Sequence, residues 1–267
     1  MDFAHFPAIA ALFALVAPAC ASVAGVPEAP APGALPMGWL NVGNDDLGRC
    51  EQSIDDHRTN QTTLGARVDA SWVVVFDHAI LTDRRARTRS DEITLTVGWL
   101  PFGGGEDDTP RLAVGGGLRA NGPYLGAEMQ NQCHQVQDFR CYDLAYDDGG
   151  VTAVVYVDGV YPWYPLPWAG LELHGALLAT SHVQVQADIG VRAILRYDRD
   201  QARLWFGARQ RANDGDAQSG TARTVDEYER GTWIDYGASW RMFALSGGMN
   251  TDDGNTFGAV GMMVKTW

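Results

Sequence analysis

The sequence predicts an all-β protein: a single antiparallel transmembrane β-barrel in the bacterial outer membrane. Segments of about ten residues with alternating polar and apolar character recur between turn residues, as barrel strands do. The chain is rich in turn formers and aromatics, with 31 Gly, 9 Trp, 9 Tyr and 9 Phe, and it ends on Trp267, an aromatic end typical of bacterial barrels. A soluble β-sandwich shares the alternation, but the aromatics and the N-terminal export signal favour the membrane barrel.

The N-terminus predicts export. Residues 1–21 read as a signal peptide because Ala8–Ala19 is apolar and is followed by small residues. Residues 22–35 form a Pro/Ala-rich linker, and residues 36–267 form the barrel. Cleavage before Cys20 would leave an acylated cysteine, whereas cleavage after Ala21 would remove it. Of the other cysteines (Cys50, Cys133 and Cys141), the last two are close enough in sequence to close a small loop.

The strand count follows from the alternating segments. They are Leu35–Asn44, Thr63–Phe76, Glu92–Phe102, Arg111–Ala120, Val151–Tyr161, Trp168–Thr180, His182–Tyr197, Ala202–Ala212, Gly231–Trp240, Met242–Asn250 and Thr256–Trp267. Single-chain bacterial barrels use even numbers. The span from Thr62 to Thr82 is long enough for two strands with a turn near Asp69-Ala70-Ser71, which predicts twelve strands; ten is the alternative. Val183 to Leu195 alternates cleanly, so one face of that strand is apolar.

The net charge and the motifs of the chain limit the classes of ligand that it is expected to bind. Asp+Glu number 33 against 20 Lys+Arg, a net charge of −13, which argues against nucleic acid and suits divalent cations. Asn44-Asp45-Asp46-Leu47-Gly48, at the end of the first strand, offers oxygen ligands for a hard cation. The alternative is an ordinary loop of turn formers.

A second candidate site follows Gly122-Pro123, which ends a strand. Residues 124 to 134 can form a short helix in an outer loop, and Gln130 and His134 would share one face of it. Gln130, or Asp138, could orient the imidazole of His134 and leave its other nitrogen to act as a base. The alternative is a solvated surface histidine. His174 and His182, within predicted strands, are expected to be structural.

Together these motifs resemble the outer-membrane lipid A 3′-O-deacylase (LpxR-like) family. The matching residues are Asn44-Asp45, Thr63-Leu64-Gly65 and Gly122-Pro123…Gly126…Gln130-Asn131-Gln132-Cys133-His134. The family has a threonine motif at the start of its second strand, which Thr63-Leu64-Gly65 matches. Thr59-Asn60 is a second possible match for this motif. The resemblance spans most of residues 38 to 267, and its most specific part is the Gln-Asn-x-x-His stretch.

The resemblance implies a twelve-stranded monomer that hydrolyses the 3′ acyloxyacyl ester of lipid A in lipopolysaccharide of the outer leaflet, assisted by Ca²⁺. His134 would be the general base, Asp45 with Asn44 would hold the cation, and Thr63 would line the site. The chain lacks the outer-loop lysine of some members. Arg84, Arg85, Arg87 and Arg89 either take over the contact with lipid phosphates or form a solvated basic loop. The alternative function is a non-catalytic barrel of the same fold with a structural or lipid-binding role.

Overall fold

The computed structural model describes residues 26–47, 57–83, 88–102, 108–123, 150–181, 185–197, 201–214, 231–252, 254 and 256–264. Within them the chain forms one closed barrel of twelve strands. The strands are β1 (Gly38–Leu47), β2 (His57–Arg67), β3 (Trp72–Asp83), β4 (Thr88–Trp99), β5 (Arg111–Pro123), β6 (Gly150–Leu166), β7 (Ala169–Thr180), β8 (Val185–Tyr197), β9 (Ala202–Asp214), β10 (Gly231–Trp240), β11 (Phe243–Asn250) and β12 (Thr256–Val264).

The barrel confirms the predicted class and the strand number. Each strand pairs antiparallel with its sequence neighbours, and β1 pairs with β12 to close the sheet. The long span predicted as two strands is divided into β2 and β3 by residues 68–71, so the ten-stranded alternative is wrong. The predicted signal peptide and loop helix lie outside the described residues.

The outer wall is apolar. On β8, Ile189 is 68% exposed whereas its neighbour Asp188 is 5% exposed, and the alternation continues along the strand as predicted. Val151, Val155, Leu171 and Leu195 are also exposed on this wall. A continuous apolar belt of this kind is stable in lipid rather than in water, so the barrel spans the outer membrane. Among the described residues, no helix is long and apolar enough to cross a membrane.

The connections orient the barrel. At the end where β1 begins and β12 ends, strands are joined by short turns such as residues 68–71 and 241–242. The opposite end carries the longer connections, residues 48–56, 124–149 and 215–230. Outer-membrane barrels have short periplasmic turns and long extracellular loops. The end of β1, with Asn44 and Asp45, therefore lies toward the cell exterior.

Charged side chains fill the lumen. Arg192 of β8 pairs with Asp235 at 2.8 Å and with Glu172 at 3.7 Å. Other buried pairs join Arg211 to Asp188 at 3.0 Å, Arg111 to Asp158 at 3.2 Å and Arg119 to Glu92 at 3.4 Å. Buried charges are tolerated when they are paired, and these contacts pair the charges between adjacent strands or, for Arg192 and Asp235, between strands two apart.

The stretch before β1 also lies in the lumen. Val26 and Leu35 are buried against inward side chains of the barrel, including Trp39 and Val73. The carboxylate of Glu28 accepts a hydrogen bond from Arg192 at 2.9 Å. We call Val26–Pro36 the lumen segment. Composition alone predicted only a Pro/Ala-rich linker here, because its lumen contacts come from residues far along the chain.

Backbone groups of the lumen segment hold it to the wall. Gly33 N–H donates to the Glu172 carboxylate at 3.1 Å. The Pro32 carbonyl accepts from the Arg203 guanidinium, and the Leu35 carbonyl accepts from Arg67 at 3.4 Å. The segment thus lies inside the lumen and is bound to β2, β7 and β9.

Candidate functional site

The two sequence motifs lie in the same cross-strand rows of the sheet. Asn44 near the end of β1 pairs with Asn60 of β2, and the pairing continues strand by strand to Gly122 of β5. The complete cross-strand row is Asn44, Asn60, Ile80, Asp91 and Gly122. Directly paired residues of neighbouring strands lie side by side. The Asn-Asp and Gly-Pro motifs, 78 positions apart in the numbering, therefore lie in the same cross-strand row on one sector of the wall.

The adjacent row shows the same match. Asp45 pairs with Thr59, and the row runs through Leu81 and Ser90 to Pro123. Pro123 is the last residue of β5 and opens the connection that contains Gln130 and His134. The connection with the predicted base thus starts in the same cross-strand row as the predicted cation ligand. Neighbouring strands are 4.7–4.9 Å apart, so β1 and β5 are separated by about 19 Å along the wall.

Between these motifs the outer wall is polar. His78 of β3 pairs with Thr62 of β2 and with Ile93 of β4, whose side chain is exposed on the outer face. The His78 Nε2 atom lies 3.0 Å from the Asp91 Oδ1 atom, with 33% and 23% of the two side chains exposed. We call Asn60, Thr62, His78 and Asp91 the outer polar patch. It interrupts the apolar belt on β2, β3 and β4.

Thr63 lies on the other face of the wall. Its side chain is buried, and its hydroxyl donates to the Asp77 carboxylate at 2.5 Å inside the barrel. It pairs with Asn41 and Asp77. Because side chains alternate along a strand, Thr62 faces outward where Thr63 faces the lumen. A site on the outer wall would therefore take its hydroxyl from Thr62.

Several predicted site residues lie outside the described part of the chain. They include His134, Gln130, Asp138 and the loop arginines Arg84, Arg85 and Arg87; the backbone of Asn44, Asp45 and Arg89 is placed within strands, but their side chains are not described. The structure therefore places the backbones of the two motifs in the same cross-strand rows. It does not test the contact between His134 and Asp45. That contact stays a prediction.

The donor chemistry at the end of β1 fits a hard cation. Asn44 and Asp45 carry amide and carboxylate oxygens, and the exposed Asn60 adds a further amide in the same row. Ca²⁺ takes six to eight oxygen ligands. No group of three His, Cys, Asp or Glu side chains that could hold a metal occurs within the described residues, so a calcium site here would depend on amides, water or substrate as well.

Sequence reasoning missed the outer polar patch. One signal was available: Val74, Phe76 and Ile80 occupy the outward positions of β3, and His78 is the polar exception among them. That signal becomes informative only once Asp91 of the next strand is known to lie beside it. The proximity of His78 and Asp91 follows from the pairing of β3 with β4, which a motif within one strand does not reveal.

Fold and site together define the class: an outer-membrane β-barrel with a polar patch on its lipid-facing wall. The chain is similar in structure to LpxR from Salmonella typhimurium, at 11% sequence identity and a TM-score of 0.48, covering 85% of this chain and 99% of that one. The transport unit of the autotransporter AIDA-I from Escherichia coli is similar at 12% identity and a TM-score of 0.43, covering 86% and 90%.

A third similar structure is CdiB from Acinetobacter baumannii, at 7% identity and a TM-score of 0.34, covering 85% of this chain and 60% of that one. No family model and no curated protein matches the chain. At these identities and scores, the similarities do not assign an activity.

Proposed function

We propose that the protein is an outer-membrane esterase that removes the 3′-linked acyloxyacyl group from lipid A of lipopolysaccharide. The observation that carries the proposal is the register match of Asn44-Asp45 with Gly122-Pro123 across five strands. It supports a single site at the extracellular end of this sector of the wall, built from the two motifs of the resemblance. There an acyl chain can stay in the hydrocarbon of the outer leaflet while its ester reaches Asn44 and Asp45.

The reach of the chain allows the proposed site to assemble. Fully extended, the stretch from Pro123 to His134 spans about 36 Å, nearly twice the separation of about 19 Å between β1 and β5. His134 can therefore be carried back over β4, β3 and β2 toward Asp45, even with part of the stretch helical. This leaves room for Gln130 to orient the ring, as the i and i+4 spacing predicts.

The chemistry assigns each residue a task. His134, neutral at pH 7, takes a proton from a water that attacks the ester carbonyl. The new carbon–oxygen bond forms as the sugar–oxygen leaving group departs, and the imidazolium returns its proton to that oxygen. Asn44 and Asp45 would hold Ca²⁺, which supplies positive charge beside the developing oxyanion. The Thr62 hydroxyl lines the outer wall close to this position.

Mass spectrometry of lipid A tests the proposal. Expressed in a host that makes hexa-acylated lipid A, the protein should lower the lipid mass by one 3′ acyloxyacyl group. His134→Ala and Asp45→Asn should each abolish this loss, and so should chelation of divalent cations with purified protein. His182→Ala, a histidine between β7 and β8, is the matched control and should leave the loss intact.

Folding must be checked in every variant by heat-modifiable migration in gels. An unchanged lipid spectrum from a wild-type barrel that is folded in the outer membrane would contradict the esterase. That result would favour the non-catalytic barrel with a structural or lipid-binding role. Turnover that persists after thorough chelation would remove Asn44 and Asp45 from their role as cation ligands.

A further inference from the structure

We infer that the outer polar patch binds the uncharged hydroxyl and amide groups of an acylated sugar headgroup, with His78 and Asp91 as its principal contacts. The inference deepens the proposed function, because it says where the headgroup of the substrate lies. It concerns binding and does not require hydrolysis. It rests on described side chains, and its two principal contacts, His78 and Asp91, belong to none of the motifs of the resemblance.

The position of the patch argues for a ligand. Outward residues of a membrane barrel are normally apolar, and a polar side chain facing lipid costs free energy that rises with depth in the bilayer. On β8, Val185, Ile189 and Val191 occupy the outward positions without a polar interruption. An imidazole paired with a carboxylate on β3 and β4 has no counterpart there. Its retention on the outer wall is explained by a polar partner in the lipid layer.

The shape of the patch leaves space for such a partner. Asp91 has Gly122 as its cross-strand neighbour on β5, and a glycine places no side chain beside it in that row. His78 and Asp91 keep 33% and 23% of their surfaces exposed although they contact each other at 3.0 Å. Thr62, opposite His78, adds a hydroxyl, and Asn60, exposed one row above, adds an amide. A ligand above β3 can thus meet four polar side chains.

The charge of the patch selects the class of ligand. Its described members contribute one carboxylate, one imidazole, one hydroxyl and one amide. The Asp91 carboxylate repels phosphate, and the imidazole already points its Nε2 atom at Asp91. The hydroxyl of Thr62 and the amide of Asn60 are uncharged, and their chemistry matches hydroxyl and amide groups of a ligand. Acylated amino sugars carry both kinds of group at the level where acyl chains begin.

Binding of purified lipid A provides the test. The full chain, refolded in a detergent without a sugar headgroup, is titrated with fluorescent lipid A. His78→Phe, which restores an apolar wall, should weaken binding about tenfold, the equivalent of one lost hydrogen bond to a polar ligand. Asp91→Asn should weaken it less, since it keeps an acceptor. Val155→Phe, on the outer face of β6, is the control and should leave affinity unchanged.

Two further measurements separate the alternatives. His78→Phe should keep or raise the unfolding temperature, because it extends the apolar belt; a lower unfolding temperature with unchanged affinity would show a purely structural pair and overturn the inference. Dephosphorylated lipid A should show the same tenfold loss. A loss seen only with phosphorylated lipid A would assign the patch to phosphate and also overturn it.

The proposed function can fail independently of this inference. If lipid A binds with the expected dependence on His78 but is never hydrolysed, the headgroup site stands and the esterase falls. If hydrolysis occurs, His78→Phe should raise KM and leave kcat within about twofold, because the residue contacts the headgroup and lies outside the reacting ester. Hydrolysis with unchanged KM and unchanged affinity would remove the patch while leaving the esterase.

Discussion

At the scale of single residues, Glu28 of the lumen segment is held by an ion pair with Arg192 at 2.9 Å. Burial by itself would raise its pKa, but Arg192 and Arg209 outweigh this and lower the pKa from 4.5 to about 2. The ionised carboxylate therefore favours the docked lumen segment. Since the pKa is lowered on folding, this contribution is complete above about pH 4.5 and is lost as the pH falls toward 2.

Glu28→Gln tests this coupling. At pH 7 the change should lower the free energy of unfolding by about 2–3 kcal/mol. Each pKa unit corresponds to about 1.4 kcal/mol, and the full value is reduced because the side chain keeps 29% of its surface exposed. The difference in unfolding temperature between wild type and variant should shrink between pH 4.5 and 2. Glu28→Asp, which keeps the charge, is the control. A difference that stays constant down to pH 2 would contradict the role of Glu28.

At the scale of strands, local pattern located the elements and burial adjusted their ends. The turn residues at 69–71 correctly divided β2 from β3. The first strand was predicted to begin at Leu35 but begins at Gly38, because Leu35 is buried with the lumen segment and does not continue the sheet. The sequence alone does not distinguish an apolar residue that continues a strand from one that lies beside the strand and packs inside the lumen.

Glycine on β5 sets how closely two strands approach. A Cβ atom at Gly117 would collide with the backbone carbonyl of Leu95 on β4. Gly117→Ala should therefore destabilise the barrel by about 1–3 kcal/mol, as overpacking does. Gly175→Ala, whose Cβ would meet the Asp188 carbonyl at an ordinary 3.6 Å, should change stability by less than about 0.5 kcal/mol.

Thermal unfolding of both variants, read from circular dichroism and heat-modifiable migration, measures the difference. Equal unfolding temperatures for the two variants would show that β4 can move away without loss. The comparison matters for the site because β4 contributes Asp91 and β5 leads into the connection with His134. A shift of β5 relative to β4 would therefore be expected to disturb both.

At the scale of the whole molecule, the lumen segment occupies part of the interior of the barrel. Its apolar residues pack against inward side chains near the periplasmic end, and its carboxylate reaches Arg192 within the charged lumen. A barrel of twelve strands is wide enough to conduct ions when its interior is open. The described interior is instead occupied by protein, which directs ligands to the outer wall.

Planar bilayer recordings test the closure. Wild-type protein should insert without stable ion-conducting steps, and deletion of residues 26–35 should produce them. Glu28→Arg, which places a second cation beside Arg192, should give an intermediate result while keeping the full chain. Folding of each variant is verified by heat-modifiable migration. Identical conductance of folded wild type and folded deletion variant would show that the segment does not close the lumen.

The sequence by itself determined the class, the strand number and the lipid-facing side of the clearest strand. These follow from alternation and turn residues, which depend on neighbours a few positions apart. The tertiary structure alone decided the contents of the lumen, the outward position of His78 beside Asp91, and the alignment of Asn44 with Gly122. These depend on which strands pair and in what register, and that is fixed only when the sheet closes on itself.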